Sequence, residues 1–332
     1  MDAPAGRTIL PTMNRIDRAT KRALRDRERK ERATARRPSG PNVAAAYEAL
    51  FERLTRAHCI AYERLDWNEI ATRGLVEPAV RRHELEQKAR RALANYRPGL
   101  IDSLFGLGQE RRRALAEKVL EAAKKDAELY AQAKRNAEVH NLDVNLAPAV
   151  LALDMEAIET ALKAHAPTAV LAAVLEGFAV AMPSPGRLVA YVDALEFDAL
   201  PDEAVEIGET GRSVYRALTF AARQEIHLAN VCAVSLRIAA ETLAAVPVDM
   251  VEVVVRCFLP DGRGEVEQYP ILYAKVPHVA LKAMDLRRLD PVATITALGA
   301  RIDWEIARGF APIRIDDLNL TSKSPKPPLV PA

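Results

Sequence analysis

Aromatic residues are scarce in this 332-residue chain, at 5%, and its most basic stretch, residues 14–37, holds none, so bases find nothing to stack on there. Cysteine is nearly absent: Cys59, Cys232 and Cys257 are far apart and odd in number, which argues against a disulfide framework and for a reducing, cytoplasmic setting. No window reaches the ~18 uninterrupted apolar residues of a membrane-spanning helix; the nearest, Ala166 to Met182, is broken by Pro167, Glu176 and Gly177. The opening MDAPAG turns charged without the apolar core of a secretory signal, and Asp17, Asp26, Glu28 and Glu31 do not suit a transit peptide.

Signatures of chemistry are missing as well. The glycines are scattered, and Gly106-Leu107-Gly108 precedes a helical pattern with no strand before it, so no phosphate loop is expected. There is no Cys-x-x-Cys and no His-x-x-x-His. The pair His58-Cys59, His140, and His227 with Cys232 lack partners at metal spacing, and positions five apart on a helix diverge by about 140°. Ser213 and Ser235 have no nucleophile-elbow context. Neither a metal nor a cofactor is expected.

What the chain does contain is core-forming material, 49% apolar, enough for about two domains. Its charge is uneven. Residues 1–40 hold twelve Lys/Arg against five Asp/Glu, a balance of +7 in a chain of net +2, which leaves a body at −5. Within that arm Asn14 to Arg37 has interleaved charges and no apolar stripe, and it ends at Pro38-Ser39-Gly40-Pro41. It reads as a flexible basic arm and linker (residues 1–41), with Lys21, Arg22, Arg25, Arg29 and Lys30 as candidate phosphate contacts or as a solvated tail.

A helical domain is expected over 42–165. Tyr47, Leu50, Leu54 and Ala57 recur at helical spacing behind Asn42, a candidate N-cap. Two further helices, about 79–96 (Leu85, Ala89, Ala92, Tyr96) and 109–139 (Leu115, Val119, Ala122, Leu129, Ala133), suggest an antiparallel, coiled-coil-like hairpin whose seam Asp126 weakens. Their connection is apolar. Leu100, Ile101, Leu104, Phe105 and Leu107 form either a protein-binding tip or a cap folded back on the chain. A break is expected at Pro148, and Asp154 can cap a helix from Met155 to His165.

An α+β domain follows over 166–317. Strands at Val174–Met182 and Arg187–Glu196 flank Pro183-Ser184-Pro185-Gly186, and strands at Met250–Leu259 and Val266–Pro277 flank Pro260 to Gly264. Pro270 marks the last of them as an edge strand. The stretch from Leu200 to Ser213 reads as a polar connection. Thr219 to Val246, stopped by Pro247, is one long helix that is apolar nearly all round and therefore buried. Its single polar stripe, Arg223, His227, Asn230, Arg237 and Glu241, is either a ligand site or a structural network, and the absence of any completing motif favours the network. Short helical turns near 278–285 and 291–301 precede an irregular end and a disordered Pro-rich tail, 318–332.

Asp66-Trp67, the connection from Tyr96-Arg97-Pro98 to Leu104-Phe105-Gly106, Gly211-Arg212, Cys232 to Arg237, Pro247 to Val251, and Gly309-Phe310 together resemble a family of bacterial proteins of unknown function. The resemblance covers about residues 44–313. It implies a helical N-terminal part before a small α+β part, and it supplies no activity and no catalytic residue. The fold expected is therefore α+β: a helical region with an antiparallel hairpin, then a small antiparallel ββαββ sheet packed on one long central helix. The function expected is a non-enzymatic interaction module that takes a protein or nucleic-acid partner through the hairpin tip and the basic arm, away from membranes. The alternative is a metal-dependent, nuclease-like enzyme using Asp193, Glu196, Glu252, Glu265 and Glu267 with Lys275, although Glu267 and Lys275 stand about 26 Å apart on an unbroken strand.

Overall fold

A computed structural model describes residues 7–10, 15–34, 40–99, 107–260 and 266–315. The chain divides into two compact units, one made of Met1–Trp67 with Ala149–Ala332 and the other of Asn68–Pro148. The expected boundaries near 41 and 165 are not the ones observed. The N-terminal arm and the helix at 155–165 belong with the sheet, because strand β1 (Arg7–Leu10) pairs with strand β2 (Leu175–Ser184) and that helix packs on both.

In the first unit six strands lie in the order β1, β2, β3 (Arg187–Ala194), β6 (Met250–Pro260), β7 (Val266–Pro277) and β8 (Arg301–Ile302). The expected α+β fold is present, with four central strands within two residues of their expected ends. Every pairing is antiparallel except β3 with β6. That pair is parallel because the long helix α8 (Phe220–Ala245) carries the chain from the end of one strand back to the start of the other, as a crossover must. The tight β2–β3 turn needs Gly186 at φ 75°. Where a polar connection was expected, β4 (Glu203–Ile207) and β5 (Ser213–Ala217) form a separate two-stranded ribbon. Pro270 sits beside an irregularity in β7, which is second from the edge; β8 pairs only at Leu272 and Tyr273, and the Pro270 carbonyl accepts from Ile313 N–H. Beyond β8, β9 (Trp304–Glu305) and β10 (Gly309–Phe310) form a small hairpin.

Helix α8 lies against β3 and β6 on one side and meets α2 (Pro41–Thr55), α6 (Met155–His165) and α10 (Pro291–Ala297) on others. Val231, Leu236, Ile238 and Leu243 of α8 are fully buried with Val251, Val253 and Val255 of β6 and Phe178 of β2. Its first turn is capped by Thr219, which accepts from Ala222 N–H. At the other end, the Ala244 and Ala245 carbonyls, which have no partner within the helix, accept from Leu65 N–H and from the buried Trp67 indole at 2.8 Å. Helix α2 starts two residues earlier than expected, with Gly40 rather than Asn42 as N-cap and Pro41 at the first helical position, where its missing N–H costs nothing. Asp154 caps α6 as expected. The short α7 (Thr168–Leu171) and α9 (His278–Ala283) complete the unit together with α1 (Arg15–Thr34).

The second unit holds most of α3 (Trp67–Thr72), α4 (Glu84–Ala94) and α5, which runs from Gly108 to Leu151. Pro148 does not break α5, which ends three residues later where Leu153 takes φ 57° and Asp154 N–H reaches back to the Ala149 carbonyl. α4 and α5 form the antiparallel hairpin: the Asp126 carboxylate accepts from Glu86 N–H at 2.9 Å and Leu85 N–H at 3.3 Å, while Asn141 exchanges two hydrogen bonds with the Val76 backbone. Asp126 is therefore the remote cap of α4. The seam drifts from the expected 3.5-residue spacing, since Tyr130 turns inward while Leu129 is 62% exposed, as a straight helix of 3.6 residues per turn dictates.

Candidate functional site

The polar stripe of α8 is a row of groups directed at backbone carbonyls. Arg223 donates to Phe197 O at 2.9 Å and lies 4.4 Å from the Phe197 ring centroid. His227 Nε2 meets Leu195 O at 3.0 Å, with the imidazole edge-on to Phe310 at 5.0 Å. Asn230, fully buried, donates to Leu54 O and Val174 O. Arg237 bridges Glu241 at 2.6 Å and Ala57 O at 3.1 Å. These carbonyls belong to the end of α2, to the chain leaving β3 and to Val174, the residue before β2, so the stripe fastens the ends of elements to the core helix. Burial drives the His227 imidazole down to about 4 and raises the Glu241 carboxyl against the pull of Arg237. The five side chains are brought together by one helix, and each has a partner inside the unit.

Residues 15–34 of the basic arm are helical, and that helix is docked. One face of α1 carries Arg18, Lys21, Arg22, Arg25 and Arg29, which fall within about 100° of one another on a helical projection. That face meets carboxylates at the end of β3 and on β2. Arg18 pairs with Glu196; Lys21 and Arg25 each reach Glu176 at 2.6 Å; Arg22 and Arg25 meet Asp198 at 3.1 and 3.4 Å; Arg29 meets Asp202 at 3.6 Å and donates to Asp198 O. Arg18 also stacks 4.7 Å from the Phe258 ring centroid. Burial lifts Glu196 above the ordinary carboxylate range against the pull of Arg18. Of the candidate phosphate contacts, Lys21, Arg22, Arg25 and Arg29 are thus engaged on the protein's own acids, while Lys30 is solvent-exposed. The arm looked free in the sequence because its partners are distant along the chain.

The face of the sheet turned away from α8 carries two acids of the enzymatic alternative, Glu252 and Asp193. Glu252 is held bidentately by Arg187, at 2.8 and 2.9 Å, and accepts from Tyr273 OH at 2.9 Å. Burial pushes its pKa up, and these hydrogen bonds outweigh that and hold it below the ordinary value. Asp193 accepts from Arg256 and Gln268, with burial lifting its carboxyl. Between the two clusters Val189, Val254, Tyr273 and Ile315 form a small apolar patch. The irregularity at Ile271 puts Glu267, opposite Leu259, and Lys275, opposite Glu252, on different faces of the sheet. Glu265 lies outside the described residues. No group of three or more metal-ligating side chains converges among the described residues. A shallow depression of about 420 Å³, lined by Arg187, Glu252, Lys275, Pro185, Gly186, Leu188 and Met250, opens beside the Glu252 cluster. Its Arg187 is spent on Glu252, so Lys275 alone is left to face a ligand.

Of the apolar tip, Leu100, Ile101, Leu104 and Phe105 lie outside the described residues, and Leu107 is 36% exposed. Cys59, Cys232 and Cys257 are free; burial pushes the Cys232 and Cys257 thiols up to about 12, which keeps them protonated. Helix α8 is the one helix among the described residues long and apolar enough to cross a membrane, and 78% of that window is buried. No family model, no curated protein and no solved structure matches the chain.

Proposed function

We propose that the protein is a cytoplasmic, non-enzymatic binding module that engages a protein partner through the helical hairpin of residues 68–148. The observation that carries this reading is how little the hairpin buries. Among its described residues only Ile70, Asp126, Ala137 and Ala147 are buried, whereas Leu75 (63%), Val80 (80%), Leu120 (73%) and Leu129 (62%) stand exposed. Hydrophobic side chains kept in solvent on a unit with so little core are what a partner surface covers.

The polar clusters support the same reading from the other side. The Arg223 stripe, Glu252 with Arg187, and Asp193 with Arg256 are all engaged in structural hydrogen bonds, which leaves none of these three clusters poised for proton transfer or nucleophilic attack. The test is affinity capture with the full chain and with a Leu120→Glu/Leu129→Glu variant, both nuclease-treated. A protein retained by the wild type and lost from a variant of unchanged circular dichroism supports the reading. Equal retention by both overturns it.

A further inference from the structure

We propose that α1 is a nucleic-acid-binding helix held shut by the protein's own acidic recess, so that nucleic acid and the carboxylates of Glu176, Glu196 and Asp198 compete for the same cations. This goes beyond the hairpin reading and does not depend on it.

The argument begins with what holds α1 in place. Over residues 15–34 it has nine Lys/Arg against four Asp/Glu and no aromatic residue. None of its described side chains is buried, and Leu24 is 55% exposed. Among the described residues hydrophobic burial therefore contributes little, and residues 18–31 are fastened by ion pairs and by Arg18 over the Phe258 ring. The carboxylates are the more enclosed side of the pairing: the Glu176 and Glu196 side chains are 6% and 4% exposed, whereas Lys21 and Arg22 are 49% and 48% exposed. Lys21 and Arg22 thus keep much of their access to water, where a competing anion can reach them, whereas Arg18 and Arg25, at 12% and 21%, are uncovered only as α1 lifts.

The docked face spans Arg18 to Arg29, about 16 Å of helix at 1.5 Å per residue, and it presents point charges and guanidinium forks without a side chain that reads a base. That chemistry suits phosphates, which a duplex supplies at one charge per ~1.7 Å of its axis. A wide groove of the duplex also admits a helix. A lipid surface fits less well. An interfacial helix needs an apolar face with Trp, Phe or Leu opposite its basic one, and α1 has only Ile16, Leu24 and scattered Ala. On the side of α1 away from the recess, Lys30 is exposed and Arg27 is 76% exposed in a solvent-screened pair with Glu31 at 2.7 Å, a weak contact that a polyanion can displace while the five-cation face is still covered. Each phosphate gained then replaces a carboxylate lost, so binding should be weak in the wild type and should tighten when the recess is neutralised.

The experiment measures fluorescence anisotropy of a labelled DNA duplex with the full-length protein at low salt, comparing wild type, Glu176→Gln/Asp198→Asn, and Arg22→Gln/Arg25→Gln. Neutralising the recess should raise affinity about tenfold, the scale expected from freeing a few partly exposed ion pairs. The α1 variant should lose most of the binding. Should the double recess variant not fold, Asp198→Asn alone, at a side chain 24% exposed, should still tighten binding, by about threefold. Unchanged or weaker affinity in a folded recess variant overturns the proposal, as does equal DNA binding by wild type and the α1 variant. Vesicles of phosphatidylserine and phosphatidylcholine form the second arm; if they capture the protein through α1 and DNA does not, the nucleic-acid assignment falls.

Discussion

At the scale of residues, the polar stripe shows how a buried helix can carry charge without performing chemistry. His227 is 3% exposed and pinned between Leu195 O, Phe197 and Phe310. Burial takes its pKa to about 4, below the ~6.5 of an unfolded histidine, so between those values the unfolded chain binds a proton that the native site refuses. Stability from this group is full above about 6.5, falls as pH drops towards 4, and levels off below; the gap amounts to roughly 3 kcal/mol. Urea midpoints of wild type and His227→Gln at about pH 7.5 and about pH 4.5 isolate the effect, since other titrating groups are common to both. The wild type should lose more stability on acidification, and equal losses would show that the imidazole is not refused its proton. The stripe itself was legible as five polar residues at steps of three and four. Its partners were not, because the carbonyls of Leu54, Ala57, Leu195 and Phe197 are groups that every residue owns, and nothing in a sequence marks which of them lack a ladder.

At the scale of elements, legibility followed burial. Strands β2, β3, β6 and β7 announce themselves through β-branched runs between Pro/Gly turns, and α8 through its apolar girth and Pro247. The β4–β5 ribbon did not: of β4 only Val205 is buried, so Glu203–Ile207 reads like a solvated connection. The hairpin was visible as paired helical patterns, yet the role of Asp126 was inverted. A carboxylate on a seam looks like a defect until the neighbouring helix begins opposite it, where two amides with no partner inside the helix need an acceptor and favour negative charge. Asp126→Ala should therefore destabilise α4, which buries no side chain of its own, by roughly 1–2 kcal/mol. Hydrogen exchange at residues 84–94 should accelerate while exchange in α8 stays unchanged. Unaltered protection over α4 would mean that the cap is dispensable.

At the scale of the whole molecule, the first forty residues and the remainder are complementary in charge, +7 against −5, and the first unit is completed by that complementarity. The sequence displayed the imbalance, but a helix with no apolar stripe looked unattached because its attachment runs through long-range ion pairs. Removing residues 1–40 should turn the salt response upward. In the full chain, salt screens attractive pairs between α1 and the recess, so raising ionic strength should leave stability unchanged or lower it. In the truncated chain Glu176, Asp193, Glu196 and Asp198 remain clustered without α1, and screening their mutual repulsion should raise the melting temperature. The truncation also uncovers the outer edge of β2 and the pocket of Ile9, which is 5% exposed, so low protein concentration is needed to keep edge-to-edge association out of the measurement. Thermal melts of both chains across a sodium chloride series decide the matter: a flat or falling slope is expected for the full chain and a rising one for the truncated chain, and parallel slopes would mean that the recess is not held together by α1.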